Sequence, residues 1–461
     1  MRRMGKIVII ALATLISLST YAQDISGKWN GILKVQGVQL RLVFNITQTE
    51  KGYSSTMDSP DQGATGIPVT ATSYENSILK LEVSNAGIHY EGTLDKENTF
   101  VGTFKQGGQS FPLVLIKGKI EKEKILRPQE PIKPYPYYLE EIEIENTKDK
   151  IVLAGTLTLP EKNGKFPAVI LISGSGPQNR DEELFGHKPF LVLADYLTKK
   201  GIAVLRFDDR GTAKSTGDFG NATTYDFATD VEAAIKYLQK RKEIKRNSIG
   251  LIGHSEGGII APLIASKNKD VGFIILMAGS TLRGDKLLLL QKYKIETQMG
   301  INKQLVENNQ QIFAGAYEII LNKNLGKEVM SDSLSRYFIS KYGKNLPENQ
   351  KTALINQLTS PWMIDFIRLD PAVYIEKVRC PILAINGNKD LQVPSKENLE
   401  IIENISKKSK NSKIEIKEIE NLNHLFQECE TGAISEYATI EQTISPIALD
   451  EITNWILKQI K

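Results

Sequence analysis

The sequence predicts two folded parts: a small all-β unit, then a larger α/β unit with a mostly parallel sheet and a helical insertion. Three observations point there. From Gly27 to about Lys119, short alternating apolar runs are separated by turn residues, with no helical period. Beyond residue 138, continuous apolar runs alternate with amphipathic stretches, as expected of strands buried on both faces beneath helices. One of those runs enters Gly253-His254-Ser255-Glu256-Gly257 and passes directly into an apolar helical stretch.

At the start of the chain, Arg2, Arg3 and Lys6 precede an apolar run from Ile7 to Leu18, followed by Ser19-Thr20-Tyr21-Ala22. This pattern predicts a secretory signal peptide over residues 1–22, cut after Ala22, and hence a periplasmic or secreted product. The apolar run is short for a membrane span and no cysteine follows it, so neither stable membrane insertion nor a lipid anchor is expected. Removing the segment lowers Lys+Arg from 58 to 55 against 54 Asp+Glu. A chain so nearly neutral, without a concentrated basic patch, does not suit nucleic acid as a partner. Its four histidines (His89, His187, His254 and His424) lack paired spacing, which argues against a metal site. Cys380 and Cys429 allow at most one disulfide.

Residues 23–120 should form a small antiparallel barrel or sandwich of about eight strands. Ile78-Leu79-Lys80-Leu81-Glu82-Val83 shows the alternation. The opening Gly27-Lys28-Trp29-Asn30-Gly31 resembles the start of lipocalin-like barrels. So small a barrel is expected to be filled by its own side chains and to serve as an accessory domain. Residues 121–137 form the expected linker, with Pro128, Pro131, Pro134 and Pro136 imposing extended backbone.

The α/β unit is expected over 138–461. It opens with a hairpin, Tyr138–Asn146 and Ile151–Leu159, followed by strands at Ala168–Ser173, Ala203–Phe207, Ile249–Ile252, Phe273–Met277, Ile382–Asn386 and Ile414–Ile419. Helical stretches fall between them, at Phe190–Lys199, Tyr225–Arg241, Gly258–Ser266 and Lys396–Ile405, and Asn454–Ile460 closes the chain. Pro262 should kink the third of these or shift its first turn. About residues 284–360 form a helical insertion between two sheet strands. It should rise over the sheet's carboxyl edge as a lid.

A serine on a glycine-flanked strand-to-helix turn has its hydroxyl pushed outward, where a base can reach it. It becomes a nucleophile when an imidazole takes its proton and a carboxylate orients that imidazole. After Ser255, the sequence supplies Asp390, just past the apolar run Ile382–Asn386, and then His424, past Ile414–Ile419. All three fall in loops after strands, in the order Ser, Asp, His. An oxyanion would be met by the backbone N–H of Glu256 and, from the loop Gly174-Ser175-Gly176-Pro177, by that of Ser175, with Gly176 as the fallback. No Gly-Lys-Ser/Thr sequence follows this loop, so it does not read as a phosphate site.

Other residues receive blander readings. Asp208-Asp209-Arg210-Gly211 reads as a tight turn, and Glu256 as a carboxylate favoured at a helix N-terminus. Ser360–Phe366 reads mainly as packing between lid and sheet, with the acyl pocket as the alternative. No partner for His187 or His254 is visible in the sequence.

With these motifs in view, residues from about 138 to 461 resemble the α/β-hydrolase superfamily, in the branch holding bacterial esterases and serine-aminopeptidase-like proteins. The carriers are Gly174–Asp181, Phe207-Asp208-Asp209-Arg210-Gly211, Gly253–Gly257 and the loops of Asp390 and His424. The resemblance implies a serine hydrolase forming an acyl-enzyme, with no cofactor. The loop Ser173-Gly174-Ser175-Gly176 departs from the His-Gly start common in the superfamily. A carboxylic-ester hydrolase is the first functional expectation and a peptidase the second, with Glu307, Glu318 and Asp332 available to hold a substrate amine. The third is a non-catalytic binding protein that retains the fold. The expected partner is a small ester or peptide substrate.

Overall fold

The computed structural model describes residues 24–35, 38–62, 64–106, 109–121, 126–343, 346–408 and 413–460. The expected signal peptide and its cleavage point lie outside them. The described residues up to 121 form one compact unit and those from 126 onward another. Among the described residues, no helix is long and apolar enough to cross a membrane.

The first unit is a nine-stranded sheet. Its strands are β1 (Gly27–Val35), β2 (Val38–Thr49), β3 (Gly52–Ser59), β4 (Ala64–Pro68), β5 (Ala71–Glu75), β6 (Ile78–Val83), β7 (Ile88–Leu94), β8 (Thr99–Gln106) and β9 (Gln109–Lys117). They lie in the order β4-β3-β2-β1-β9-β8-β7-β6-β5. The edge strands β4 and β5 are consecutive in the chain. Between them the Val69 N–H donates to the Ser55 carbonyl at 3.1 Å, and the Thr72 hydroxyl to that of Ser55 at 2.9 Å. Those bonds bring β5 against β3 and curl the sheet. Alternation decides which side chains turn inward: Leu79, Leu81 and Val83 of β6 are buried while Lys80 and Glu82 face water. The interior is filled by Trp29, Phe44, Tyr90, Phe100 and Phe104. Their polar atoms are satisfied, with the Trp29 indole donating to the Ile25 carbonyl at 2.7 Å.

The second unit is an eight-stranded sheet. It comprises β10 (Tyr138–Asn146), β11 (Ile151–Leu159), β12 (Phe166–Ile172), β13 (Ala203–Phe207), β14 (Ile244–His254), β15 (Phe273–Met277), β16 (Ile382–Gly387) and β17 (Ile414–Ile419). The order is β10-β11-β13-β12-β14-β15-β16-β17. The first two pairings are antiparallel and all later ones parallel. This is the α/β-hydrolase arrangement.

Strand β12 shows why the parallel strands are apolar throughout. Ala168, Ile170 and Ile172 pack beneath α2 (Thr224–Lys240) and α3 (Gly257–Ala265). Val169 and Leu171 pack on the other side, against α1 (Pro189–Lys199) and α12 (Pro446–Gln459). Helix α3 continues through Pro262 to Ala265. The final helix begins eight residues before the expected Asn454, because Ser445 caps it and Pro446 supplies its first turn.

Between β15 and β16 lie α4 (Gly284–Gln298), α5 (Lys303–Leu321), α6 (Lys327–Tyr342), α7 (Glu348–Leu358), α8 (Pro361–Arg368) and α9 (Ala372–Ile375). The insertion has its own core, which includes Ile312, Ile320, Leu334, Phe338 and Ile367. Residues 126–137 are held on this second unit. Arg127 donates to the carbonyls of Ala438 and Ile440 at 2.8 Å each, and Gln129 donates to that of Ile444 at 2.7 Å. Cys380 and Cys429 are not joined to each other by a disulfide.

The centre of the β unit yields one prediction. Phe100 is fully buried with its ring 4.6 Å from that of Trp29. Phe100→Ala should lower the stability of this unit by about 3–5 kcal/mol, read as an earlier urea transition followed by Trp29 fluorescence.

Candidate active site

Strand β14 ends at His254, α3 starts at Gly257, and Ser255 stands between them with φ of +52°. That left-handed conformation is unfavourable for a serine, so its surroundings must hold it. Part of the hold is a bond from the Ser255 N–H to the Met277 carbonyl on β15, at 2.9 Å. The flanking glycines answer a need for space. A Cβ on Gly253 would overlap the Gly257 carbonyl, and one on Gly257 would overlap that of Ile172 on β12.

Asp390 and His424 reach the same edge from neighbouring strands. Asp390 follows β16, in a loop pinned by Asn386, whose amide donates to the Val393 carbonyl at 2.8 Å. One Asp390 oxygen accepts the N–H groups of Gln392 and Val393, both at 2.8 Å. The other is 2.7 Å from Nδ1 of His424. His424 follows β17, in a turn shaped by Asn423, whose side-chain Oδ1 accepts the N–H groups of Leu425 and Gln427 at 3.0 Å. Both Asp390 and His424 are buried. With Nδ1 facing the carboxylate, Nε2 is the nitrogen left for a reacting group.

Ser255 and His424 line one cavity of about 240 Å³, together with Gly174 and Ser175. Leu287 and Leu288 of α4, Trp362 and Phe366 of α8, Val393 and Leu425 wall the rest. No direct Ser255–His424 hydrogen bond is present among the described residues. The N–H groups of Glu256 and Ser175 donate to no protein acceptor among the described residues. A serine hydroxyl, an imidazole paired with a carboxylate and two unspent N–H donors therefore gather at one sheet edge. Such a set supports acyl transfer.

Residues 188–428 match the family described as serine aminopeptidase, S33. The chain belongs to this family. The S33 member is also similar to esterase EstD of Thermotoga maritima, 27% identical over 306 residues, which are 66% of each chain. An uncharacterised 31.7 kDa protein of Escherichia coli is 26% identical over 256 residues, 53% of this chain and 80% of that one. Among solved structures, the Pyrococcus furiosus esterase Pf2001 aligns over 74% of this chain and 100% of its own, at 16% identity and a TM-score of 0.45. Est1E of Butyrivibrio proteoclasticus, with ferulic acid bound, covers 69% of this chain and 99% of its own, at 19% identity and a TM-score of 0.41.

Several side chains of this S33 member do more than their sequence readings. Glu256 stands at the N-cap position of α3, as expected of a carboxylate at a helix N-terminus, but its side chain caps no N–H. Its carboxylate accepts the Thr224 hydroxyl at 2.6 Å and the Trp362 indole N–H at 2.9 Å, tying α2 and α8 to the serine turn. Burial pushes the Glu256 carboxyl up, while bonds from Thr224, Trp362 and the Ser175 hydroxyl oppose that shift. The turn at Asp208–Gly211 also braces the Ser175 loop. Asp208 forms a two-pronged pair with Arg180, and Asp209 accepts the Ser173 hydroxyl at 2.7 Å and the Gln178 N–H at 2.9 Å. Burial pushes Asp209 up to about 7.

Trp362 and Phe366 both wall the cavity, while Met363, Ile364 and Ile367 of the same helix pack into the insertion. His187 is a structural link, bonded to Thr443 and to the Tyr437 carbonyl. His254 lies between Glu182 and the His424 carbonyl. Those partners lie 72 and 170 residues away in the chain, so no local pattern announces them. Among the described residues, no group of three or more His, Cys, Asp and Glu is placed to hold a metal.

The serine turn supplies the second prediction. Gly257→Ala should cost at least about 2 kcal/mol, because the obstructing atom is backbone that cannot rotate away. Thermal melting of the purified variant against the parent checks it.

Proposed function

We propose that the chain is an exported serine hydrolase that cleaves carboxylic esters carrying an uncharged, largely apolar acyl group. Ser255 Oγ attacks the ester carbonyl carbon while His424 Nε2 takes its proton and Asp390 steadies the resulting imidazolium. The N–H groups of Glu256 and Ser175 hold the oxyanion. His424 then protonates the departing alcohol, leaving an acyl-Ser255. Next it draws a proton from water, whose oxygen attacks the acyl carbon, and it returns that proton to Ser255 Oγ as the acyl bond breaks and the carboxylic acid is released. The helical insertion serves as the lid, with α4 and α8 forming the acyl wall.

The observation that carries ester over aminopeptide is the charge inside the cavity. A free α-ammonium needs an unpaired carboxylate beside it. Glu182, the one carboxylate on the cavity wall among the described residues, is already engaged by His254 and the Gly174 N–H. Glu256 is buried and serves Thr224 and Trp362. Glu307, Glu318 and Asp332 are exposed and absent from the lining. The likeness to EstD supports the same reading. The family description keeps peptide cleavage as the second reading, and the basic-then-apolar opening of the chain supports export.

Purified residues 23–461 should hydrolyse p-nitrophenyl esters and leave aminoacyl p-nitroanilides intact. Ser255→Ala should lower kcat by about 10⁴-fold or more. Anilide cleavage at comparable kcat/KM would overturn the ester assignment. Ester turnover that survives in Ser255→Ala would overturn the nucleophile.

A further inference from the structure

We propose that His254 is a positioning residue: it stands as an imidazolium paired with Glu182 and locks the His424 loop and the Ser175 loop against Ser255. The inference rests on the roles proposed above for Ser255, His424 and Ser175. It starts from a hydrogen-bond count. His254 Nδ1 lies 2.9 Å from Glu182 Oε1, and Nε2 lies 2.9 Å from the carbonyl oxygen of His424. The carbonyl can only accept, and an ionised carboxylate likewise. A neutral imidazole has one N–H and can serve one of them, whereas an imidazolium serves both.

The pairing reaches both sides of the nucleophile. Glu182 Oε1 also accepts the Gly174 N–H at 2.8 Å, immediately before Ser175. Gly174 lies so near the nucleophile that a Cβ there would sit 3.2 Å from the Ser255 Cβ. One carboxylate oxygen thus anchors the loop carrying an oxyanion donor, and the ring it pairs with anchors the backbone of the base. His254 itself directly precedes Ser255, so all three segments are tied at a single charge pair. Glu182 and His254 are 2% and 5% exposed, so water does not compete for these bonds.

The titratable groups facing the ring are Glu182, Asp390 and the His424 side chain, whose ring centroid is 4.8 Å away. Phe426, with its ring at 6.5 Å, is uncharged. Burial by itself would lower the His254 pKa. The Glu182 charge and hydrogen bond, the His424 carbonyl and the Asp390 charge outweigh burial and hold it above the ordinary value. A raised folded-state value means that the tie is complete at low pH and is lost as pH rises through that value. The alkaline side of the activity profile therefore carries its signature.

The test uses the full chain labelled with ¹⁵N-histidine, in which four imidazoles are to be assigned. At pH 8, well above the ordinary histidine value of about 6.5, His254 should keep both ring protons. In Glu182→Gln it should have lost one. A His254 ring with a single proton at pH 8 in the parent protein would overturn the proposal whatever the enzyme's activity. On a p-nitrophenyl ester, Glu182→Gln and His254→Phe should lower kcat by about 10–100-fold with KM within about 3-fold. The alkaline limb of kcat/KM in Glu182→Gln should move to lower pH. Folded variants with the parental kcat and an unmoved alkaline limb would also overturn it. A parent protein inert toward esters, yet showing the doubly protonated His254, would instead strike at the ester assignment.

Discussion

Three backbone segments meet without room for a side chain at Gly253, Gly257 and the Ile172 carbonyl, and the rest of the α/β unit is arranged around that approach. Strand β14 must turn into α3 within two residues while remaining beside β12. The turn leaves Ser255 in a left-handed conformation that the chain would not adopt alone. Stability to hold it comes from the sheet, whose alternating side chains fill two cores, one on each face. The strained residue is thus the one presented to the cavity.

Around that turn the structure spends buried charge rather than apolar surface. Arg180 with Asp208 and Arg210 with Asp230 form ion pairs in or beside the serine region, where Glu182 and Asp390 each face an imidazole, His254 and His424. Such pairs add little net stability, because desolvation offsets their attraction, but breaking one strands a charge. Their value here is geometric. Arg180 and Asp209 fix the loop carrying Ser175, and Asn386 and Asn423 fix the loops carrying Asp390 and His424. Glu256 extends the same logic outward, joining the residue after Ser255 to Trp362 in the cavity wall.

Much of this was legible in the residues. The hairpin Tyr138–Asn146 with Ile151–Leu159 and the strand Ile414–Ile419 stand where alternating and apolar runs indicate, because their signals are local and uninterrupted. The elements that bring Ser255, Asp390 and His424 to one edge follow from strand order, which glycine and apolar spacing expose. Helix α8 escaped because eight residues give too few turns for a period, although Ser360-Pro361 supplies a cap and a first turn. The first helical turns of α12 escaped despite the similar Ser445-Pro446 start. The partners of Glu256, His187 and His254 left no trace, since each bond joins segments far apart in the chain. Long-range polar contacts carry no periodicity.

In the proposed reaction, Ser255 forms the covalent intermediate with its oxyanion between the N–H groups of Glu256 and Ser175. The most direct measurement is a crystal structure after reaction with an alkyl fluorophosphonate. The expected structure has a bond from Ser255 Oγ to phosphorus, with the phosphonyl oxygen within hydrogen-bonding distance, about 2.7–3.1 Å, of both N–H groups. An adduct on another residue, or a phosphonyl oxygen turned away from those donors, would contradict it.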